Sequence, residues 1–129
     1  MKNPLLYLPL LFLFVACQPV KTGDMDDYNE VRLEDLTQDN APEGLVFTAN
    51  TWRPDKGWEL VPSRDGNKVM LMQVGGNKGS AGYECQCKEG AGPCGERKDI
   101  IMCIPETCTK CSTVLKVYKD HITVDRAKW

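Results

Sequence analysis

Six of the seven cysteines in this 129-residue chain lie close together, with the spacing C-x-C-x6-C-x8-C-x4-C-x2-C. Clustered cysteines in a short chain are typical of exported domains, where thiols oxidise and disulfides hold a small core together. If Cys85 and Cys87 lie on a strand, they project to the same face, so we expect them to bond to separate partners. Spacing alone does not choose among the fifteen possible pairings. Three disulfides are predicted among Cys85, Cys87, Cys94, Cys103, Cys108 and Cys111.

The first residues carry the features of an export signal. Lys2 is basic, and Leu5 to Val15 is an apolar run of 11 residues that contains Pro9. A membrane-spanning helix needs about 20 apolar residues, whereas the apolar region of a signal peptide has about 7 to 15. Residues 1–16 are therefore predicted to form a signal peptide. An uncleaved N-terminal anchor and an internal apolar segment are the alternatives.

The seventh cysteine, Cys17, directly follows this leader. Phe14-Val15-Ala16-Cys17 resembles the lipobox of bacterial lipoproteins. The resemblance implies that cleavage leaves Cys17 at the N-terminus, with a diacylglyceryl group on its thiol and a further acyl chain, such as palmitate, on its amine. Two or three acyl chains bind a bilayer far more firmly than one. Because Gln18 and not Asp follows the cysteine, the resemblance favours the outer membrane, with the periplasmic or surface-facing orientation left open.

Charge divides the rest of the chain into two parts. Residues 17–44 carry eight carboxylates against Lys21 and Arg32, and few aromatic or β-branched residues. Such a composition favours disorder, so this segment is predicted to be a lipidated acidic tether, with a weak helical pattern at Val31, Leu33 and Leu36. Residues 45–129 carry 13 basic and 10 acidic residues without a long basic stretch, which argues against nucleic acid as a partner.

The pattern of residues 45–129 predicts a mostly β domain. A strand from Leu45, a turn at residues 53–57 and a strand from Trp58 predict a hairpin in which Trp52 and Trp58 meet. A second turn at residues 63–67 leads to a third strand at 68–74, which completes an antiparallel meander. Gly75 to Gly82 is predicted to be a flexible loop. Further strands are predicted at Tyr83 to Lys88, Asp99 to Ile104, Thr113 to Lys119 and Ile122 to Val124.

The cysteines also allow two kinds of chemistry. Thiolates in C-x-C and C-x2-C elements are good ligands for Zn²⁺ or Cu⁺, and methionine thioethers would add soft ligands for copper, although methionines on alternate strand positions usually fill a core. The spacing of Cys103, Cys108 and Cys111 also matches three ligands of plant-type iron–sulfur proteins, but no cysteine follows Cys111 to act as the fourth. A redox-active Cys108–Cys111 dithiol would lack the helix that such motifs use. The methionines considered above as copper ligands are Met70, Met72 and Met102.

No motif in the sequence predicts catalysis. His121 is the single histidine, and Lys78-Gly79-Ser80 has the wrong order for a phosphate-binding loop. We therefore expect a non-enzymatic envelope lipoprotein, without a cofactor, whose domain has a binding or structural role toward an unidentified partner. Trp52, Trp58 and Trp129 are the candidate binding residues, with core packing as the alternative for the first two. The alternative is a lipoprotein that binds Zn or Cu through the cysteines between Cys85 and Cys111.

Overall fold

The computed structural model describes residues 24–129, and within them every regular element except one short 3-10 helix is a β-strand. The predicted mostly β class is confirmed. The 3-10 helix, η1, covers Leu33–Asp35. The strands are β1 (Tyr28–Arg32), β2 (Leu45–Thr48), β3 (Thr51–Pro54), β4 (Trp58–Pro62), β5 (Lys68–Gln73), β6 (Lys78–Gly90), β7 (Cys94–Glu96), β8 (Cys103–Pro105) and β9 (Cys108–Thr123).

Five strands form the main sheet, in the order β1-β9-β6-β5-β4, with every neighbouring pair antiparallel. Strands β6 and β9 are 13 and 16 residues long, and their pairing continues to Gly90 and Cys108. Two small hairpins, β2–β3 and β7–β8, complete the strand pairing of the described residues. The antiparallel arrangement with a cysteine-rich C-terminal half is as predicted.

Each face of the main sheet carries a buried apolar cluster. On β5, Val69 and Leu71 point into one cluster, while Met70 and Met72 point into the other, as expected from the alternation of side chains along a strand. The two methionines are 1% and 0% exposed, so they fill the interior. The first core consists of Leu36, Leu45, Trp52, Leu60, Val69, Leu71, Tyr83, Ile101 and Leu115. The second core consists of Met70, Met72, Tyr118, Ile122 and Val124.

The folded domain begins well before residue 45, so the predicted boundary between tether and domain is wrong. Strand β1 pairs with β9, with Val31 opposite Leu115, and Leu36 is 7% exposed within the first core. An edge strand needs only one apolar face, and charged side chains along it discourage pairing with other molecules. The acidic composition that suggested disorder therefore belongs in part to an edge strand. Residues 17–23, like the signal peptide and Cys17, lie outside the described residues.

The predicted hairpin between the strands of Trp52 and Trp58 is also wrong. Strand β3 pairs with β2, which places Trp52 opposite Phe47, while β4 pairs with β5. The turn between β2 and β3 is made by Ala49 and Asn50, both with positive φ, a conformation that suits a two-residue hairpin but that alanine rarely adopts. The turn at residues 55–57 is present, but it connects two different sheets.

The turn at residues 63–67 joins β4 to β5 as predicted. The Ser63 amide donates to the Lys68 carbonyl, and Asp65 accepts hydrogen bonds from the Ser63 hydroxyl and the Asn67 amide. Those bonds hold the pKa of the Asp65 carboxyl below its usual value, the Ser63 hydroxyl contributing most. The meander of the main sheet is therefore β4–β5–β6.

All four later strand predictions change in extent. Lys78 to Gly82 begins β6, so this part of the predicted Gly75 to Gly82 loop is a strand. The predicted strands at Thr113 to Lys119 and from Ile122 are parts of the single strand β9. In Asp99 to Ile104 only the end is a strand, but Ile100 and Ile101 are 5% and 3% exposed and anchor the segment to the protein interior.

Candidate functional site

Three disulfides close the cysteine-rich region. They join Cys85 to Cys103, Cys87 to Cys108 and Cys94 to Cys111, with Cα–Cα distances of 5.7, 5.8 and 6.1 Å. The first, second and third cysteines thus bond to the fourth, fifth and sixth, so each loop encloses one cysteine of each other bridge. Cys85 and Cys87 have separate partners, as predicted.

Two of the bridges, Cys85–Cys103 and Cys94–Cys111, attach the β7–β8 hairpin to the long β6–β9 ladder, and the third, Cys87–Cys108, joins the two strands of that ladder. Cys87 and Cys111 lie directly opposite each other in that ladder, yet each bonds elsewhere. Cys85 and Cys103 pack against the first core, whereas Cys94 and Cys111 are half-buried away from it. The Cys85–Cys103 bridge is therefore the one that packs directly against the hydrophobic interior of the domain.

Three sulfur atoms from two different bridges meet in this region. The Sγ atoms of Cys94, Cys108 and Cys111 all lie within 4.8 Å of one another. A sulfur in a disulfide is not a thiolate, and thiolates are the metal ligands of cysteine. Binding of Zn²⁺ or Cu⁺ by this trio would therefore require reduction of two bridges. Of the methionines considered as copper ligands, Met70 and Met72 lie in the second core and only Met102 is exposed.

Trp52 and Trp58, two of the candidate binding residues, lie on strands β3 and β4, which do not pair with each other, and both contribute to the first core. Trp52 is 8% exposed, packs against Phe47 at 5.1 Å between ring centroids, and accepts the Ile101 amide at its carbonyl. Trp58 is half-buried, with its ring centroid 6.0 Å from that of His121. Trp52 is thus a core residue, and a binding role for either tryptophan remains a prediction.

His121 has a partner that accounts for its position. Its Nε2 atom lies 2.6 Å from a carboxylate oxygen of Glu43, and the carbonyl of Glu43 also accepts the Ser80 hydroxyl. These contacts join the segment before β2 to the main sheet. The histidine therefore takes part in the tertiary structure.

A pocket on the second face of the sheet was not predicted, although Trp129, which lines it, is one of the candidate binding residues. Its volume is about 280 Å³, and its wall begins with Met25 and Asp26, next to β1. The pocket was not predictable because it requires β1 beside β9, and residues 28–32 were expected to be a tether. Its other lining side chains include Tyr28, Lys68, Met70, Glu84, Lys116, Tyr118 and Trp129.

The aromatic side chains of this pocket are held in place by the fold. Tyr28 and Tyr118 face each other across β1 and β9 in a perpendicular arrangement, with ring centroids 6.1 Å apart. The indole N–H of Trp129 donates to the Val61 carbonyl, and the Trp129 carbonyl accepts the Arg64 amide. Burial, followed by the neighbouring Tyr28 and Glu84, raises the pKa of the Tyr118 hydroxyl, which therefore stays protonated at neutral pH.

Comparison with protein-family models, curated proteins and solved structures finds no match to this chain. In residues 24–129 there is no helix with the length and apolar character needed to cross a bilayer. Function is therefore inferred from the chain's own residues.

Proposed function

We propose that this chain is an exported bacterial lipoprotein, anchored through Cys17, whose disulfide-stapled domain has a non-enzymatic binding role in the cell envelope. The observation that carries the proposal is the pairing of the six cysteines after Cys17 with one another. Such pairing is stable in oxidising compartments and rare in the cytoplasm. It also assigns a partner to every cysteine except the one in the lipobox-like sequence.

The position of β1 sets how far the domain can stand from the membrane. Eleven residue steps separate Cys17 from Tyr28, where the sheet begins, so a fully extended spacer reaches about 36 to 40 Å. A spacer of that length keeps the domain close to the bilayer surface. The proposed partner is therefore a component of that surface or of the layer next to it.

Membrane fractionation of the Cys17→Ser variant tests the anchor. The wild-type chain is expected in the membrane pellet after washes with high salt and carbonate, and in the soluble fraction only after detergent, because several acyl chains hold it. The variant lacks the thiol that accepts the diacylglyceryl group, so its mature domain is expected to lose detergent-dependent partitioning and the added mass of the lipid. A double Cys94→Ala, Cys111→Ala variant is the control, because it changes cysteines without affecting the anchor. Identical mass and partitioning of Cys17→Ser and wild type would reject the proposal.

The second candidate function is binding of Zn or Cu by reduced cysteines, favoured by the closeness of Cys94, Cys108 and Cys111. Protein isolated under thiol-trapping conditions distinguishes the two states. Alkylated cysteines together with stoichiometric metal, released by a chelator with loss of the fold, would support metal binding. Unmodified cysteines without metal would reject it.

A further inference from the structure

The pocket on the second face of the sheet has an apolar floor and a charge-balanced rim. Met70, 1% exposed, and the rings of Tyr118 and Trp129 provide apolar surface. At the rim, two lysines stand against two carboxylates, so the charged side chains of the lining balance one another. The charged residues are Asp26, Lys68, Glu84 and Lys116.

One polar group inside this pocket has no hydrogen-bond partner among residues 24–129. Tyr118 is 9% exposed, and its hydroxyl oxygen lies 3.8 Å from the point where a Cβ on Gly82 would stand. The side-chain hydrogen bonds of residues 24–129 include none from this hydroxyl, and no polar side-chain atom there is both sealed from solvent and unpartnered. The Tyr118 hydroxyl therefore opens into the pocket, above the bare backbone of Gly82, where it can both donate and accept a hydrogen bond.

The charged groups at the rim offer both kinds of hydrogen bond. The Lys116 ammonium lies 5.0 Å from the centroid of the Tyr28 ring and 3.9 Å from the Glu84 carboxylate. This separation is longer than a direct hydrogen bond, so donor and acceptor both remain available to a third molecule. The cation already occupies the face of Tyr28, which leaves the pocket poorly suited to a second cation.

From these features we infer that the pocket binds one saccharide ring of an envelope glycan. A pyranose has an apolar C–H face, which matches aromatic rings, and an edge of hydroxyl groups that donate and accept, which matches an ammonium, a carboxylate and a tyrosine hydroxyl. The ring is uncharged, which fits the balance of charged side chains at the rim. A volume of about 280 Å³ lies just below the range of pockets for drug-sized ligands, so a single ring is the appropriate size. This inference gives a ligand class to the binding role of the proposed function and rests on it for access to glycans.

Titration of isotope-labelled residues 18–129, the mature chain without its lipid-bearing cysteine, followed by amide NMR, tests the inference. This part contains every described strand and carries no lipid, so the result does not depend on the anchor, and it is produced in an oxidising compartment so that its disulfides form. The probes are D-glucose, D-galactose and N-acetyl-D-glucosamine, with benzoate as an aromatic anion for comparison. We expect saturable shifts at Gly82, Lys116, Tyr118 and the Trp129 indole, with a Kd on the order of 1 mM for one ring. The preferred sugar then distinguishes cell-wall from surface glycans, and either preference supports the inference.

Two variants change the pocket and one serves as the control. Tyr118→Phe removes only the unpartnered hydroxyl, so we expect an unchanged unfolding midpoint and a Kd about fivefold higher, the effect of one hydrogen bond. Gly82→Ala places a methyl group on the pocket floor in ordinary contact with its neighbours, the nearest 3.4 Å away, and should weaken binding at least as much. Phe47→Ala removes an exposed aromatic ring from the β2–β3 hairpin and should leave the Kd unchanged.

Several results would overturn the inference even if Gly82→Ala failed to fold. The absence of saturable shifts with all three sugars is one, and binding of benzoate in their place is another. A Tyr118→Phe variant that binds sugar as tightly as the wild type is the third. Because the anchor is tested separately by fractionation of Cys17→Ser, failure of the saccharide inference leaves the lipoprotein proposal standing, and the reverse also holds.

Discussion

The Cys85–Cys103 disulfide is expected to contribute more to stability than its loop length alone explains. It closes a loop with a sequence separation of 18, for which the loss of denatured-state entropy amounts to about 3 kcal/mol. The Cys94–Cys111 bridge has a separation of 17, so its entropic contribution is about the same. Any difference between the two bridges therefore arises from the folded state.

That difference follows from what each bridge holds in place. Cys85 and Cys103 pack against the first core, and Ile101, two residues before Cys103, is 3% exposed and donates its amide to the Trp52 carbonyl. Loss of the bridge loosens this segment, and fully burying an isoleucine contributes about 1.5 to 3 kcal/mol. Partial release gives an additional cost of about 1 to 2 kcal/mol above the entropic value.

Denaturation of two double variants measures the difference. Cys94→Ala, Cys111→Ala should lower the free energy of unfolding by about 3 kcal/mol, and Cys85→Ala, Cys103→Ala by about 4 to 5 kcal/mol. Alanine at both positions avoids a free thiol. Guanidinium titrations followed by tryptophan fluorescence and circular dichroism give both values, provided the slopes agree. Equal costs, or a smaller cost for the Cys85–Cys103 pair, would refute the proposed link between this bridge and the core.

Two further predictions concern stability. Gly44 has a φ of +91°, and a Cβ there would lie 2.6 Å from Cγ of Trp58, so Gly44→Ala should cost about 3 kcal/mol or more. Gly57 has a φ of +88° and open space around it, so Gly57→Ala is the matched control and should lower the free energy of unfolding by about 1 kcal/mol. Thermal denaturation compares the two variants, and equal effects would contradict the packing argument. Burial, with a contribution from Glu96, raises the pKa of Tyr83, whose hydroxyl donates to the Arg97 carbonyl. Because the unfolded tyrosine ionises near about pH 10 while the folded one does not, the melting temperature should fall as pH rises above that value, and less so in Tyr83→Phe; a wild-type melting temperature independent of pH between about 9 and 11 would contradict this.

The local features of this chain were predictable wherever one residue type dictates the backbone or the chemistry. The Asp65-Gly66 turn, the strand of Lys68–Gln73 and the pairing of the six clustered cysteines follow from such signals. The connectivity did not follow, because it depends on how the β7–β8 hairpin folds against the β6–β9 ladder. Cys87 and Cys111 illustrate this point, since they face each other in the ladder and do not bond.

The features that were missed depend on contacts between distant segments. Acidic residues around Tyr28–Arg32 suggested disorder, but β1 is stabilised by pairing with β9, more than eighty residues later. The sequence does not indicate that the Trp52 strand pairs with β2, the strand before it. The turn between them uses Ala49 with positive φ, a conformation that an alanine in a sequence does not predict. The pocket was missed for the same reason, because it forms only when β1 joins the sheet and Trp129 folds over the second face.

Disulfide mapping of protein isolated from its native cells, after immediate trapping of free thiols, tests the disulfide pairing and the compartment together. We expect three linked peptide pairs, Cys85 with Cys103, Cys87 with Cys108 and Cys94 with Cys111, no alkylated cysteine among these six, and an intact mass about 6 Da below that of the reduced domain. Six alkylated cysteines in an unprocessed cytoplasmic chain would contradict both the compartment and the role assigned to the bridges.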